Sequence, residues 1–549
     1  MVRKIIVMCS SLIVNSITIV PMFWMKKSNV VAVAVVIIAI MVVSTVGYYY
    51  YGPQPAKPTP TVVVGTTLDV TVNLDPAQDY SNGIWALNYG VFDTLYEIPP
   101  GIFPHAQLTS RLAAGEPIVS SDGLEVTIPV RQGVTFQDGT PFNASAMKFS
   151  LDRVKQLNGF PAWLLDPIKE VQVVDTYTIK IILNYPDAAL KGVLSLPVSA
   201  AVSPSAVQAM GQEKFQELPV GSGPFKYAEW QKGDHITLAP FQQYWNQSRI
   251  PKVNMVYKIY KDSATMKLAL EKGEIDSAWD YVATSDYPSL LSNPDIKYSV
   301  VAEGYIQFLV MNRNSNSSLQ DVRVRRAIEY AIDQDEISKK IYNNIYPPLQ
   351  DTMFLPAFYP KPSWQQYKPT DVAKAKELLT EAGYPNGVDL TLSFTPIAWG
   401  KEFPDMAALI QEQLGRAGIR LKLQSTEFAT FLKSYRAAQY ELALGVVSPD
   451  YPDADTMASQ VGVSNGAMAV RNHNNDTLIQ QMTEAGRTET DSAKRATIYG
   501  DIQDRLADLA VYVPLVQQNN YWFYRTGISG VTSYYFGENP WWTLTKEES

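Results

Sequence analysis

Between residues 370 and 394 the chain reads TDVAKAKELLTEAGYPNGVDLTLSF, and the spacing of its apolar positions changes partway along. Val372, Leu378, Leu379 and Ala382 share one face at helical spacing; Thr370 stands where a side chain can cap the first turn, and Gly383 marks the stop. Asn386 and Gly387 then predict a turn, and Val388, Leu390, Leu392 and Phe394 alternate as a half-buried strand does. The same order returns over 407–428, AALIQEQLGRAGIRLKLQSTEF, where Gly418 separates a helix from alternating Ile419, Leu421 and Leu423. Helix–glycine–strand units of this kind predict an α/β architecture.

Residues 321–337, DVRVRRAIEYAIDQDEI, predict two helices with an abrupt join. Asp321 caps the first, whose apolar stripe is Val324, Ala327, Ile328 and Ala331; Asp333 opens the second, with Glu336 completing a capping box. Arg323, Arg325 and Arg326 are expected to face solvent or to pair locally.

The amino-terminal pattern is different. Two apolar stretches occur, 5–24, interrupted by Asn15 and Pro21, and 30–47, which carries no charge. At 1.5 Å per residue the second makes about 27 Å, close to the ~30 Å hydrocarbon core of a bilayer. Lys26 and Lys27 precede it and Tyr48 to Tyr51 follow it, so the positive-inside rule leaves the body of the chain outside the cell. The reading is one transmembrane anchor or signal at 30–51, retained rather than cleaved, behind a segment 1–29 in which Met25 offers a second translation start. Residues 52–61 hold four prolines and read as a stiff linker.

Composition narrows the function classes. A length of 549 residues predicts two or three domains. A net charge of −8 gives no electrostatic footprint for nucleic acid. Cys9 is the sole cysteine, which excludes disulfides, Cys-ligated zinc and a cysteine nucleophile from the body of the chain. His105, His235 and His473 lack metal-ligand spacing, so neither metal nor cofactor is expected.

Catalytic motifs are equally scarce. Ser145 to Lys148 match S-x-x-K without the partner motifs of that chemistry and read as a helix start. No nucleophile elbow and no phosphate-binding loop occurs, so the chain is not expected to be an enzyme. One loop stands out. In YELALGVVSPDYPDADT, residues 440–456, an apolar strand ends at Val447 and is followed by Asp450, Asp453 and Asp455. Ligands of α/β sheets bind beyond the carboxyl ends of strands. The loop reads either as an acidic helix cap or as a carboxylate that receives a ligand cation.

Several ordered blocks carry a resemblance: LDPAQDYSNGIWALNYGVFDTLYE (74–97), SSDGLEVTIPVRQGVTFQDGTPFNASAMKFSLDRV (120–154), PVGSGPFKYAEWQKGDHITLAPFQQYW (219–245), LALEKGEIDSAW (268–279), the helix pair at 321–337 and AKELLTEAGY (375–384). Together they resemble the extracytoplasmic solute-binding proteins of the peptide/nickel type (family 5), which feed ATP-binding-cassette (ABC) importers. The resemblance implies a two-lobed periplasmic-binding-protein-like fold (type II, cluster C) with an extra small subdomain. By that likeness lobe I comprises 62–97, 218–301 and 519–549, the small subdomain 98–217, and lobe II 302–518. Residues 303–312 and 515–523 would cross between the lobes.

The same resemblance implies a monomer that captures oligopeptides, with oligosaccharides as the alternative cargo, and delivers them to ABC permease and ATPase subunits. A secreted hydrolase is disfavoured. Asp450 is implied to hold the ligand α-ammonium, with Trp399, Tyr305, Tyr89 and Asp453 completing the binding set. Dipeptide-specific members place an arginine for the ligand carboxylate where this sequence has Trp399, with Lys401 two residues on. That indole offers a ring for stacking on a sugar face.

Overall fold

The alternating segments become strands, and ten of them join in one sheet. In spatial order these are Ile419–Ser425, Val388–Phe394, Leu442–Val447, Ile296–Met311, Tyr512–Arg525, Ser277–Ala278, Thr61–Thr66, Asn254–Ile259, His235–Pro240 and Phe225–Gln231. The two long strands at its middle run antiparallel, with Ile296 opposite Arg525 and Val310 opposite Tyr512. Their register breaks between Ala302 and Tyr305 and again between Gln307 and Phe308. Each half of the sheet is packed with helices, which gives the two-lobed α/β fold.

The computed structural model describes residues 58–547 apart from 69–72, 80, 100–107, 280–281, 314–316, 350, 356–357, 397–401, 464–465, 467 and 533–539. The anchor expected at 30–51 lies outside these residues. Among the described residues no helix is long and apolar enough to cross a membrane.

A separate four-stranded antiparallel sheet, in the order Ile118–Val119, Glu125–Pro129, Thr178–Leu183, Ile168–Asp175, carries the helix Ala144–Leu157. Asn143 caps that helix by accepting the N–H of Ala146 at 3.0 Å. Lys148 lies in the helix and is spent on Asp152, at 2.6 Å, and the carbonyl of Val171, so the S-x-x-K match is a helix turn.

The strand Val388–Phe394 alternates as its sequence predicts, with Val388, Leu390, Leu392 and Phe394 buried. Gly387 precedes it at φ +84°, and a Cβ there would sit 2.0 Å from the carbonyl oxygen of Gly418, so the turn needs glycine. The helix before it starts one residue later than expected. Asp371, not Thr370, caps Val372–Glu381 by accepting the N–H of Lys374 at 2.8 Å, while the Thr370 hydroxyl donates to the Ile332 carbonyl.

Asp321 and Asp333 cap the helices Val322–Ala331 and Gln334–Tyr342 as the sequence predicts. The second box is only half closed. Asp333 accepts from Glu336 N–H, but its own N–H goes to Gln413 Oε1, and the Glu336 carboxylate turns to Lys340 and Gln413. Arg325 departs further from expectation. It is 3 % exposed and donates to the carbonyls of Leu319, Gln320, Leu509 and Ala510. Its guanidinium thus closes the carboxyl end of the 18-residue helix Ser492–Leu509, where cations are favoured by the helix dipole. Arg323 pairs locally with Asp321, and Arg326 reaches the Asp508 carbonyl.

Candidate functional site

The strand Leu442–Val447 lies between Val388–Phe394 and Ile296–Met311, with Val447 opposite Ile306. Its carboxyl end therefore opens near the middle of the sheet, and the loop 448–453 leaves there. Three contacts fix that loop. Asp453 caps the helix Ala454–Val461 and accepts from Arg495 at 2.8 and 2.6 Å. Gln460, from the helix, donates to the Ser448 carbonyl and to Asp450 Oδ2, both at 2.9 Å. Thr456 Oγ1 accepts the N–H of Asp450 at 2.9 Å.

A cavity of about 810 Å³ borders this loop. One wall comes from the four-stranded-sheet region, through Phe160, Trp163, Asp166, Tyr185 and Asp187; the other holds Val446, Val447, Asp450, Asp455, Met468 and Arg471. The walls touch directly. Tyr451 is 6 % exposed and packs in the same core as Leu190 and Leu194, and the N–H of Ala188 donates to the Arg487 carbonyl at 2.9 Å.

The charges on the walls are unequal in their partners. Arg487 binds Asp455 at 3.2 Å and Ser459 Oγ at 2.7 Å, and Tyr451 donates to Asp455 at 2.7 Å. Asp450 has no ion-pair partner among the described residues; its carboxylate accepts from neutral Gln460. It is partly exposed at the cavity, and protein around the rest of the carboxyl pushes its pKa up to about 7. Asp187, on the facing wall, is also pushed up to about 7, by burial and then by the charge of Asp455. A desolvated carboxyl without a counter-ion is poised to take up a cation, because pairing repays the charging penalty.

Of the residues expected to bind ligand, the cavity brings in Asp450. Asp453 is consumed by Arg495 and by its capping role, so it shapes the loop rather than lining the cavity. Tyr89 is 7 % exposed and stands edge-on to Trp85 inside the core. Tyr305 lies on the central strand opposite Gln518 and does not line this cavity. Trp399, with Lys401, falls outside the described residues. Sequence reading missed Asp187, Trp163 and Arg487, which come from separate parts of the chain and carry no local signature.

A family model described as "Bacterial extracellular solute-binding proteins, family 5 Middle" matches residues 107–468. The glutathione-binding protein GsiB of Salmonella typhi is 30% identical over 401 residues, covering 70% of this chain and 72% of that protein. The protein AgaA from A. tumefaciens R10, solved with agropinic acid, superposes with a TM-score of 0.75 at 25% identity, over 89% of this chain and 99% of that one. The substrate-binding protein CtaP of Listeria monocytogenes gives a TM-score of 0.78 at 23% identity, over 90% and 100%. The chain belongs to the family 5 extracellular solute-binding proteins, the binding components of ABC importers rather than enzymes.

Proposed function

We propose that this chain captures oligopeptides outside the membrane and hands them to the permease of an ABC importer, tethered by its apolar segment 30–47. The observation that carries the cargo reading is Asp450: a largely desolvated carboxylate at the cavity wall with a neutral amide as its side-chain partner. A peptide α-ammonium supplies the missing charge, and such a charge-assisted pair is about twice as strong as a neutral hydrogen bond. Arg436 and Arg471 line the same cavity and offer cations to the carboxylate end of a zwitterion. The relative named for glutathione, itself a tripeptide with one ammonium, agrees with that chemistry.

Calorimetry on residues 58–549 tests the reading. Asp450→Asn should weaken tripeptide binding on the order of 30-fold or more, since losing one partner of a buried charged pair costs about 2–5 kcal/mol. N-acetylation of the peptide should cost a similar factor, and the two changes together much less than their product. Tripeptide binding that is indifferent to both changes removes the carboxylate assignment.

A further inference from the structure

We infer that Trp163 is a specificity-determining residue: its indole forms an aromatic shelf that selects peptides bearing an apolar side chain while Asp450 holds their ammonium. The inference rests on the peptide reading above and adds the class of peptide.

The first ground is the exposure of the ring. Among the described tryptophans Trp163 alone is more than a third exposed, at 42%. The half-buried ones are each covered by a cation: Trp230 by Lys232, Trp245 by Arg131, and Trp542 by Arg111 and Arg249. A tryptophan left in water forfeits the largest apolar burial that any side chain offers.

The second ground is the base on which the ring stands. Trp163 sits in the short turn Ala162–Leu165, whose Leu164 and Leu165 are 2% and 1% exposed. Backbone bonds from Leu164 to Pro161 and from Asp166 to Trp163 close the turn. With its neighbours anchored in the core, the indole is displayed by a fixed backbone, which keeps the ordering cost of ligand contact low.

The third ground is what the ring faces. Trp163 and Phe160 line the cavity that Asp450 also lines, and Val446, Val447, Val463 and Met468 line it with them. The cavity therefore has an anionic point and an apolar region on walls from two parts of the fold. A ligand that satisfies both carries a cation and an apolar group, which describes a peptide containing Phe, Leu or Met.

Calorimetry with Ala-Ala-Ala, Phe-Ala-Ala, Ala-Phe-Ala and Ala-Ala-Phe, on wild type and on Trp163→Ala and Trp163→Phe, tests this. At least one phenylalanine position should raise wild-type affinity by about tenfold or more over Ala-Ala-Ala. Trp163→Ala should reduce that gain to about threefold or less, and Trp163→Phe should restore most of it. Because the side chain is exposed, the substitution leaves the core intact. If Trp163→Ala keeps the whole gain, or if no phenylalanine peptide gains, the inference is overturned while the Asp450 reading stands; a ring covered by the permease instead would give that result. If none of the four peptides binds, the peptide reading and this inference fall together.

Discussion

Arg495 grips Asp453 through both terminal nitrogens of its guanidinium, at 2.8 and 2.6 Å, and Asp453 in turn caps the helix that presents Gln460 to Asp450. The pair is almost enclosed, with side chains 9% and 14% exposed. A residue outside the cavity lining thus sets the position of the one proposed to hold the ligand.

Asp453→Asn should therefore act on stability first and on binding second. Removing one partner of a buried pair strands the other charge, at a cost of about 3–5 kcal/mol. Thermal melts without ligand should show the loss, and calorimetry should show weaker binding of acetylated and free peptides alike. A selective loss for the free peptide would instead mark Asp453 as a direct ligand contact.

Binding should weaken as the solution becomes more acid. Burial pushes the Asp450 carboxyl up to about 7, and an ammonium ligand needs it ionised. Between about pH 7 and pH 5.5 peptide affinity should fall by about 15-fold, because the proton must leave before the cation arrives. Stability without ligand responds with the opposite sign. The folded state binds protons at Asp450 and Asp187 that the unfolded chain, with carboxyls near 3.9, releases. Their contribution is therefore greatest below about pH 4 and is lost as the pH rises through 7. Calorimetry and melts across this range should show both trends, and Asp450→Asn should flatten most of the first.

Arg325→Met tests the closure of the long helix. Four carbonyls lose their donor at once, two of them at the end of Ser492–Leu509. Unsatisfied buried groups cost about 1–3 kcal/mol each, so a loss of at least about 3 kcal/mol is expected in denaturant unfolding. Arg325→Lys should recover little, since a single ammonium cannot reach all four carbonyls. Destabilisation below about 1 kcal/mol would show that water replaces the guanidinium.

Topology is checked on intact cells. If, as proposed, 30–47 spans the membrane with Lys26 and Lys27 on its cytoplasmic side, added protease should digest the domain beyond residue 61 while a cytoplasmic marker stays whole. Protection of the domain in cells whose other surface proteins are cut would reverse the assigned orientation.

What could be read from the sequence was local or repeated. Asp321 and Asp333 announce their helices because a cap and its target N–H lie two or three residues apart. Val388 to Phe394 announces a strand because alternation needs no distant partner. The resemblance located Asp450, which composition and spacing left undecided between cap and ligand carboxylate. Arg325 looked like a surface cation because its acceptors at Leu509 and Ala510 are more than 180 residues away. Tyr89 follows Trp85 by one helical turn, so their contact is local, but the core that buries both rings is built from segments far along the chain. Trp163 and Asp187 were passed over for the same reason: a cavity wall made by two parts of the chain has no period.

The pairing order of the large sheet bears on how the protein is made. Thr61–Thr66 is flanked by Asn254–Ile259 and by Ser277–Ala278, and the latter leans on Tyr512–Arg525. Lys546 then ties the carboxyl-terminal segment to the carbonyl of Thr61 and to Asp276. A chain that emerges amino end first must wait for nearly two hundred further residues before Thr61–Thr66 meets a neighbour, and for fewer than three hundred more before that half of the sheet is complete. Closing loops of that size before any contact rewards them makes early folding unfavourable. In a family whose members are extracellular, this order leaves the half-sheet unable to close until residues 512–525 are available, so the earlier part of the chain stays open until late.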